Sequence, residues 1–311
     1  MTPLRYALRA CTALGLFLII LSPVRAQNTR SWVSGVGDDA NPGSRTAPCK
    51  TLAGALSKTE AGGEIDCLDA GGFGAVTITK SITIDGSGTF GSILNTQTNG
   101  IIVNGPGIVV TIRNLSIHGA GKGLNGIKLL NGAVLIIEHC VISGQTGRGI
   151  EVAPGQNARL YIKDTIIRGN NADPDGGGIR IAPDDNVGVT AFLDNVRLEE
   201  NYFGLQVKDR VTVTARNCVA TGNATDGFLA SGSSGPVNLN LENCLVASNG
   251  TFGIRNDSTS ASSIIRLSNV TVVGHATGLS ANGDSIIRSF GNNRIDGNTV
   301  DGHPTETKEP E

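Results

Sequence analysis

Short apolar stretches recur along this chain at a nearly constant spacing. One position of the repeat is mostly apolar and holds three of the cysteines; its members are Ile82, Leu115, Cys140, Thr165, Val196, Cys218, Cys244 and Val270. A glycine followed by an apolar residue marks a second position, about once per 25 residues, at Gly100, Gly126, Gly149, Gly178, Gly204, Gly227, Gly253 and Gly278. Each repeat carries three short stretches patterned as β-strands, such as 126–129, 135–137 and 140–142.

A repeat of this kind has no helix and cannot bury an apolar face by itself. Stacked repeats can, because each strand then pairs in parallel with its copy one coil away and the apolar columns close on a shared core. The 43 glycines and the aromatic content of only 4% are typical of many turns and thin strands, not of a helical bundle. We therefore predict an all-β solenoid of about eight or nine coils.

The residue just before the first column is usually Asn, Asp or His. The positions are Ser81, Asn114, His139, Asp164, Asn195, Asn217, Asn243 and Asn269. Asn and Asp tolerate the left-handed backbone of a sharp corner, and stacked amides can bond to one another along the solenoid axis. The pattern predicts an asparagine ladder at one corner of the coil.

The chain resembles the right-handed parallel β-helix proteins of the pectate-lyase-like superfamily. The resemblance rests on the 25-residue coil, the asparagine ladder and the stretch WVSGVGDDANPGSRTAPCKTLAGAL at 32–56. It implies an all-β, single-stranded right-handed parallel β-helix over residues 27–300. Within it, 31–67 would form an N-terminal cap with a short helix. The polar residues 301–311 are expected to form a flexible tail.

The first 26 residues have the pattern of a signal peptide. Arg5 and Arg9 precede a short apolar run, and Val24, Arg25 and Ala26 stand at the expected cleavage site. The run is too short to span a bilayer, so we predict an exported protein without a membrane span, in the periplasm or secreted. Removal of this leader would change 25 basic and 27 acidic residues to about 22 and 27. The resulting net negative charge argues against a nucleic-acid partner.

The cysteines divide into two groups. Cys140, Cys218 and Cys244 stand in a column otherwise filled by Ile, Leu and Val, so we predict free, buried side chains that behave as small hydrophobes. Cys49 and Cys67 flank a predicted helix at the open end of an exported solenoid. We predict a disulfide between them that fixes the N-terminal cap.

Candidate chemistry lies on the first strand of each coil. The resemblance implies that catalysts of this fold act on acidic polysaccharides in a groove over that strand. The outward column there reads Ile102, Lys128, Glu151, Arg180, Gln206, Leu229, Arg255 and Ser280. We predict that a glycan contacts part of this surface, namely Lys128, Glu151, Arg180, Gln206 and Tyr202. In a catalytic reading, Arg180 and Lys208 are the candidate catalytic residues.

Two acid-rich loops, 168–178 and 182–188, flank Arg180. Four of their carboxylates could bind calcium next to a uronate carboxylate: Asp173, Asp175, Asp184 and Asp185. Arg180 or Lys208 would then accept the proton in a lyase reaction. Against this, Asp-Pro-Asp-Gly and Pro-Asp-Asp-Asn are ordinary turn sequences. Both interpretations stay open, with calcium as the one candidate cofactor.

Familiar enzyme motifs of the fold are missing. The chain lacks the Gly-His-Gly of polygalacturonases, the Trp-Ile-Asp-His of pectate lyases and the Arg-Pro-Trp of pectin methylesterases. We therefore favour a protein that binds polysaccharide or a cell-envelope component along its side. The alternatives are a calcium-assisted lyase of uronate polymers, less specifically a glycoside hydrolase, and a purely structural or adhesive solenoid. Tyr161 and Phe192, outward on adjacent coils of the second strand, form either a sugar platform or a local packing contact.

Overall fold

The computed structural model describes residues 27–259 and 263–309, and the predicted signal peptide lies outside them. The chain winds as a right-handed parallel β-solenoid of about nine turns with one short helix, which confirms the predicted fold. Its strands, numbered along the chain, form three parallel sheets. We call them the first, second and third sheets after the order of their strands within one coil.

The strands of each sheet follow one another at one per coil. The first sheet holds β4 (Val76–Ile78), β7 (Ile101–Asn104), β10 (Ile127–Asn131), β13 (Arg148–Val152), β16 (Gly177–Ile181), β19 (Leu205–Val207), β22 (Asp226–Ala230), β25 (Phe252–Asn256) and β28 (Thr277–Ala281). The second sheet holds β1 (Asn28–Val33), β2 (Thr59–Cys67), β5 (Ile82–Asp85), β8 (Val109–Arg113), β11 (Val134–Glu138), β14 (Ala158–Lys163), β17 (Val189–Asp194), β20 (Val211–Arg216), β23 (Val237–Glu242), β26 (Ile264–Ser268), β29 (Ile286–Ser289) and β31 (Glu306–Thr307). The third sheet holds β3 (Gly71–Gly72), β6 (Gly91–Leu94), β9 (Ser116–Gly123), β12 (Val141–Gln145), β15 (Ile166–Arg168), β18 (Arg197–Glu199), β21 (Val219–Thr221), β24 (Leu245–Ala247), β27 (Thr271–Val273) and β30 (Arg294–Ile295).

Apolar side chains of equal register stack along the inside of the solenoid. Ile137, for example, pairs with Ile112 on one side and Ile162 on the other, and all three are buried. Full burial of such a side chain contributes about 1.5–3 kcal/mol, which is repeated coil after coil. The predicted alternation of inward apolar and outward polar positions is therefore what closes the core.

The first row of the predicted column was wrong. Ile82 pairs with Val110 and Ile84 with Ile112, so both lie in the second sheet. The third strand of that coil is β6, where Ile93 pairs with Ile117. The error arose because the turn between β5 and β6 is long, so the predicted row fell nine residues too early, with Ile84 in the place of Ile93.

Two ladders of polar side chains run along the solenoid. The predicted corner residues from Asn114 to Asn269 all have positive φ, and several bond to the next coil, as from Asn269 Nδ2 to Asn243 Oδ1 at 2.8 Å. Ser81 is the exception, in keeping with the misplaced first row.

A second ladder, which sequence reasoning missed, is buried between the third and first sheets. Its main members are Asn170, Asn201, Asn223, Asn249 and His275.

The N-terminal cap covers the edge of the second sheet. The helix α1 (Leu52–Lys58) begins at the N-cap Thr51, whose side chain accepts a hydrogen bond from Gly54 N. Asp39 accepts hydrogen bonds from the backbone of Lys50 and Thr51, both at 2.9 Å. The segment 43–49 runs along β1, with Trp32 N donating to Gly43 O and Cys49 N donating to Trp32 O.

The predicted disulfide between Cys49 and Cys67 is wrong, because both thiols are free in the structure. Val33 pairs with Cys67 on one side and with Cys49 on the other, so its strand separates the two cysteines. Two strand spacings amount to about 9.6 Å between Cα atoms, beyond the reach of a disulfide. The other three cysteines in the described part of the chain, Cys140, Cys218 and Cys244, are free and belong to the hydrophobic core, as predicted.

The last described residues pair with the end of the second sheet. Arg288 pairs with Glu306 in register, and the guanidinium of Arg288 forms an ion pair with the Glu306 carboxylate at 3.0 Å. Among the described residues, no helix is both long and apolar enough to cross a membrane.

Candidate functional site

A cleft of about 460 Å³ opens on the outward face of the first sheet. It extends over the coils of β16, β19, β22 and β25. Basic and aromatic side chains dominate its wall, notably Arg148, Arg180, Lys208, Arg255, Tyr202 and Phe252. The cleft therefore opens over the strand face on which the sequence analysis placed its candidate residues.

The predicted outward column is confirmed by the strand register. Lys128 pairs with Glu151, Glu151 with Arg180, and Arg180 with Gln206. These residues face outward because they alternate with the buried Ile150 and Ile179. Lys128 lies one coil outside the cleft wall, whereas Arg180, Gln206, Tyr202 and Lys208 all line it.

An ion pair forms one end of the cleft. Arg180 Nη1 donates to Glu151 Oε1 over 2.6 Å. Arg148 Nε approaches Glu151 Oε2 at 3.6 Å, and neither of these two buried atoms has a hydrogen-bond partner. Glu151 is only 6% exposed. This end of the cleft is therefore polar and buried, and Arg148 Nε and Glu151 Oε2 lack a hydrogen bond. A small shift of Arg148 would form the bond between them.

A second ion pair forms the other end. Arg255 Nε donates to Asp226 Oδ1 at 2.8 Å, and its Nη2 donates to Oδ2 at 3.1 Å. The same guanidinium lies 4.7 Å above the Phe252 ring. Burial raises the pKa of the Asp226 carboxyl, and Arg255 opposes this rise. The Asp226 carboxylate and the Phe252 ring thus fix the orientation of the Arg255 guanidinium, which lines the cleft.

Tyr202 stands between the two ends. Its ring meets Phe203 edge to face, with centroids 6.5 Å apart. A hydrogen bond to the Asp173 carboxylate raises the pKa of the Tyr202 hydroxyl. Asp173 therefore lies close to the hydroxyl of this tyrosine, a neighbour that the sequence did not suggest.

The four aspartates proposed for calcium do not meet. Asp173 and Asp175 precede β16, and Asp184 and Asp185 follow it, so a strand of roughly 16 Å separates the two pairs. Within the described part of the chain, ligand atoms of three acidic residues come within 4.8 Å of one another only at Glu64, Asp66 and Asp85, far from the cleft in sequence. The predicted residues do not fit one calcium site, and we derive no step through calcium.

Four lining residues were not singled out as site residues: Arg148, Asp226, Phe252 and Arg255. In the strand register, Asp226 on β22 pairs with Phe252 on β25. Arg148 is the first residue of β13 and pairs with the first residue of β16. A signal in the sequence could have found them, since Arg148, Asp226 and Phe252 stand three residues before members of the outward column, and Arg255 belongs to that column itself.

The sequence matches the family described as "Right handed beta helix region" over residues 99–300, about two thirds of the chain, and the protein belongs to that family. Among solved structures, it is similar to an alginate lyase from Paenibacillus sp. strain FPU-7, with a TM-score of 0.58 and 16% identity over 90% of this chain and 98% of that one. It is also similar to the pectate lyase Pel9A, with a TM-score of 0.53 and 14% identity over 84% of this chain and 67% of that one. At these identities the likeness shows the shared fold. No curated protein sequence gives a significant match.

Proposed function

We propose that this protein binds a polysaccharide in the cleft on its first sheet. The observation that carries the proposal is the wall of the cleft, where four basic side chains and three aromatic rings surround about 460 Å³. Sugars pack their apolar faces on aromatic rings, and arginines offer paired donors to hydroxyl and carboxylate oxygens.

The charge balance favours an acidic glycan. Arg180 and Arg255 are each neutralised by a carboxylate, but Lys208 has no hydrogen bond or ion pair from its side chain within the described residues. An acidic sugar would supply its counter-ion. The two similar solved structures are named as lyases of alginate and pectate, so these polymers are the first ligands to test.

Export fits this proposal. A signal peptide at 1–26 would deliver the protein to the periplasm or the medium, where polysaccharides and envelope glycans occur. Secretion of a fusion that keeps residues 1–26, compared with one that lacks them, tests this part separately.

A lyase remains the second candidate, because the cleft brings Lys208 and Tyr202 beside Arg180. In that case Arg180 would bind the uronate carboxylate and Lys208 would remove the proton from C5, while the glycosidic C4–O bond breaks, a C4–C5 double bond forms and the leaving oxygen takes a proton from water. The product would be an unsaturated sugar that absorbs in the ultraviolet. Release of such a product, and its loss in Lys208→Ala, would establish the lyase.

Size-exclusion chromatography of protein with pectate, alginate and a neutral glucan tests the proposal. We expect co-elution with an acidic polymer of unchanged mass, and an affinity about tenfold lower in Tyr202→Ala combined with Lys208→Gln. Arg168→Gln, which removes an exposed arginine from the third sheet, is the matched control. Equal affinity of the cleft variant and the wild type would refute a binding role for the cleft.

A further inference from the structure

The second sheet carries an exposed aromatic surface that the cleft does not use. Ile136, Tyr161 and Phe192 lie in register on β11, β14 and β17 and point outward. They border a hollow of about 320 Å³. Tyr161 is 41% exposed, which is high for a ring that serves only local packing.

A second hollow of about 460 Å³ lies next to the first, toward the N-terminal ends of the same strands. Arg159 and Arg210 line it, and both are exposed. Neither guanidinium has a hydrogen bond or an ion pair within the described part of the chain, and none of the lining residues is acidic. Arg159 stands two residues before Tyr161, or about 6.6 Å along the strand. This hollow is therefore a cationic pocket that adjoins an aromatic ring.

The opposite border of the aromatic surface carries at least as many carboxylates as cations, since Glu138 and Asp194 line the hollow together with Lys163. Arg216 lies 5.4 Å from the Phe192 ring and donates to Asp194 at 2.9 Å. Lys163 lies 3.9 Å from Asp164. The unpaired positive charge is thus confined to the side of Arg159 and Arg210, which fixes the direction in which a charged ligand would lie.

We infer that this face is a second glycan site, which binds one acidic pyranose unit. The apolar face of the sugar packs on Tyr161 and Phe192, and its anionic group reaches Arg159 and Arg210. Arg159 stands two residues from the level of the ring platform along the strands and Arg210 stands four, so the anionic group of one unit meets Arg159 first and Arg210 beyond it. The inference is independent of the cleft, which lies on a different sheet.

The test uses the cleft variant Tyr202→Ala with Lys208→Gln as background, so that the contribution of the cleft to the measured binding is reduced. Isothermal titration calorimetry is run with a galacturonate trisaccharide, a sulfated disaccharide of chondroitin and the neutral maltotriose. We expect binding of at least one acidic sugar and none of maltotriose. A carboxylate or a sulfate preference tells which acidic group the arginines recognise.

Adding Arg159→Gln and Arg210→Gln should weaken that binding at least about tenfold, since charge-assisted hydrogen bonds are lost. Tyr161→Ala should weaken it as well, and Tyr161→Phe should retain it. Arg168→Gln, an exposed arginine elsewhere, should have no effect. The inference is overturned if no acidic sugar binds the background variant, or if its binding is the same with and without Arg159 and Arg210. A protein whose cleft binds nothing would still show the second site in this assay.

Discussion

Arg180 and Glu151 meet across two adjacent coils, with Arg180 Nη1 donating to Glu151 Oε1 over 2.6 Å. Glu151 is almost completely buried, and its other oxygen lacks a hydrogen-bond partner. The pair keeps this end of the cleft nearly neutral. Its loss should therefore alter stability and ligand affinity in opposite directions.

Glu151→Gln should lower the free energy of unfolding by about 1–3 kcal/mol, because Arg180 loses its ionic partner in a partly buried setting. The same change should raise affinity for acidic oligosaccharides, since Arg148 and Arg180 are then less neutralised. Urea denaturation and calorimetry measure the two effects. A fall in affinity would show instead that Glu151 itself contacts the ligand.

The buried ladder should be more important for stability than outward amides. Asn223 Nδ2 donates to Asn249 Oδ1 at 2.7 Å and to Leu198 O at 3.1 Å. Asn223→Ala should cost about 2–4 kcal/mol, because buried partners are left unsatisfied. Asn238→Ala, on the outward face of the second sheet, is the control and should cost less than about 1 kcal/mol. Equal losses in urea denaturation would contradict this ranking.

Asp209 stabilises a turn from one coil away. It accepts hydrogen bonds from the backbone N–H groups of Ser233, Ser234 and Gly235, at 2.6, 2.6 and 2.9 Å. Burial raises the pKa of this carboxyl, but the three donors outweigh burial and hold the pKa below its usual 3.8.

Asp209→Asn should therefore be less stable than the wild type by about 1–2 kcal/mol at pH 7. The stabilisation by the carboxylate is present above pH 3.8 and is lost as the pH falls through the lower pKa of the folded state. Stability curves of the two proteins should thus converge in acid. Parallel curves down to the lowest pH would rule out this role for the charge.

Asp66 should have the opposite pH dependence. Burial, together with the nearby Glu64 and Asp85, raises its pKa to about 6, although Arg30 opposes the rise. The folded state then binds a proton more tightly than the unfolded chain, so stability falls as the pH rises from 3.8 to about 6. Asp66→Asn should remove this fall and be more stable than the wild type above pH 6. Thermal melts between pH 4 and 8 would show it, and a less stable variant at pH 8 would disprove it.

The solenoid could be predicted because its signal is repeated many times. The column of Ile102, Lys128, Glu151 and Arg180 is read from spacing alone, and the register confirms it. The buried ladder carried an equally regular signal, since Gln145, Asn170, Asn201, Asn223, Asn249 and His275 all stand five residues after the cysteine column. It was overlooked because buried amides are not expected in a core until their partners on the next coil are known.

Features that occur once in the chain were harder to predict. The Cys49–Cys67 disulfide was predicted because both cysteines flank the predicted helix at the open end of an exported solenoid, yet the strand of Val33, more than a dozen residues upstream of Cys49, lies between them. The hydrogen bond from Tyr202 to Asp173 joins two loops whose approach depends on the turn before β16. Periodicity supplies no information on such contacts, because each depends on the path of a single irregular segment.

The segment 43–49 that runs along β1 has one more consequence. A solenoid of similar coils can be extended by adding coils at either end. The strands of a second molecule could pair with an end coil in the same way. Head-to-tail growth needs a receptive edge at each end. At the N-terminal end of the second sheet, the backbone of Trp32 is already bonded to Gly43 and Cys49. The cap thus occupies part of the strand edge that a second molecule would need in order to extend this end of the sheet.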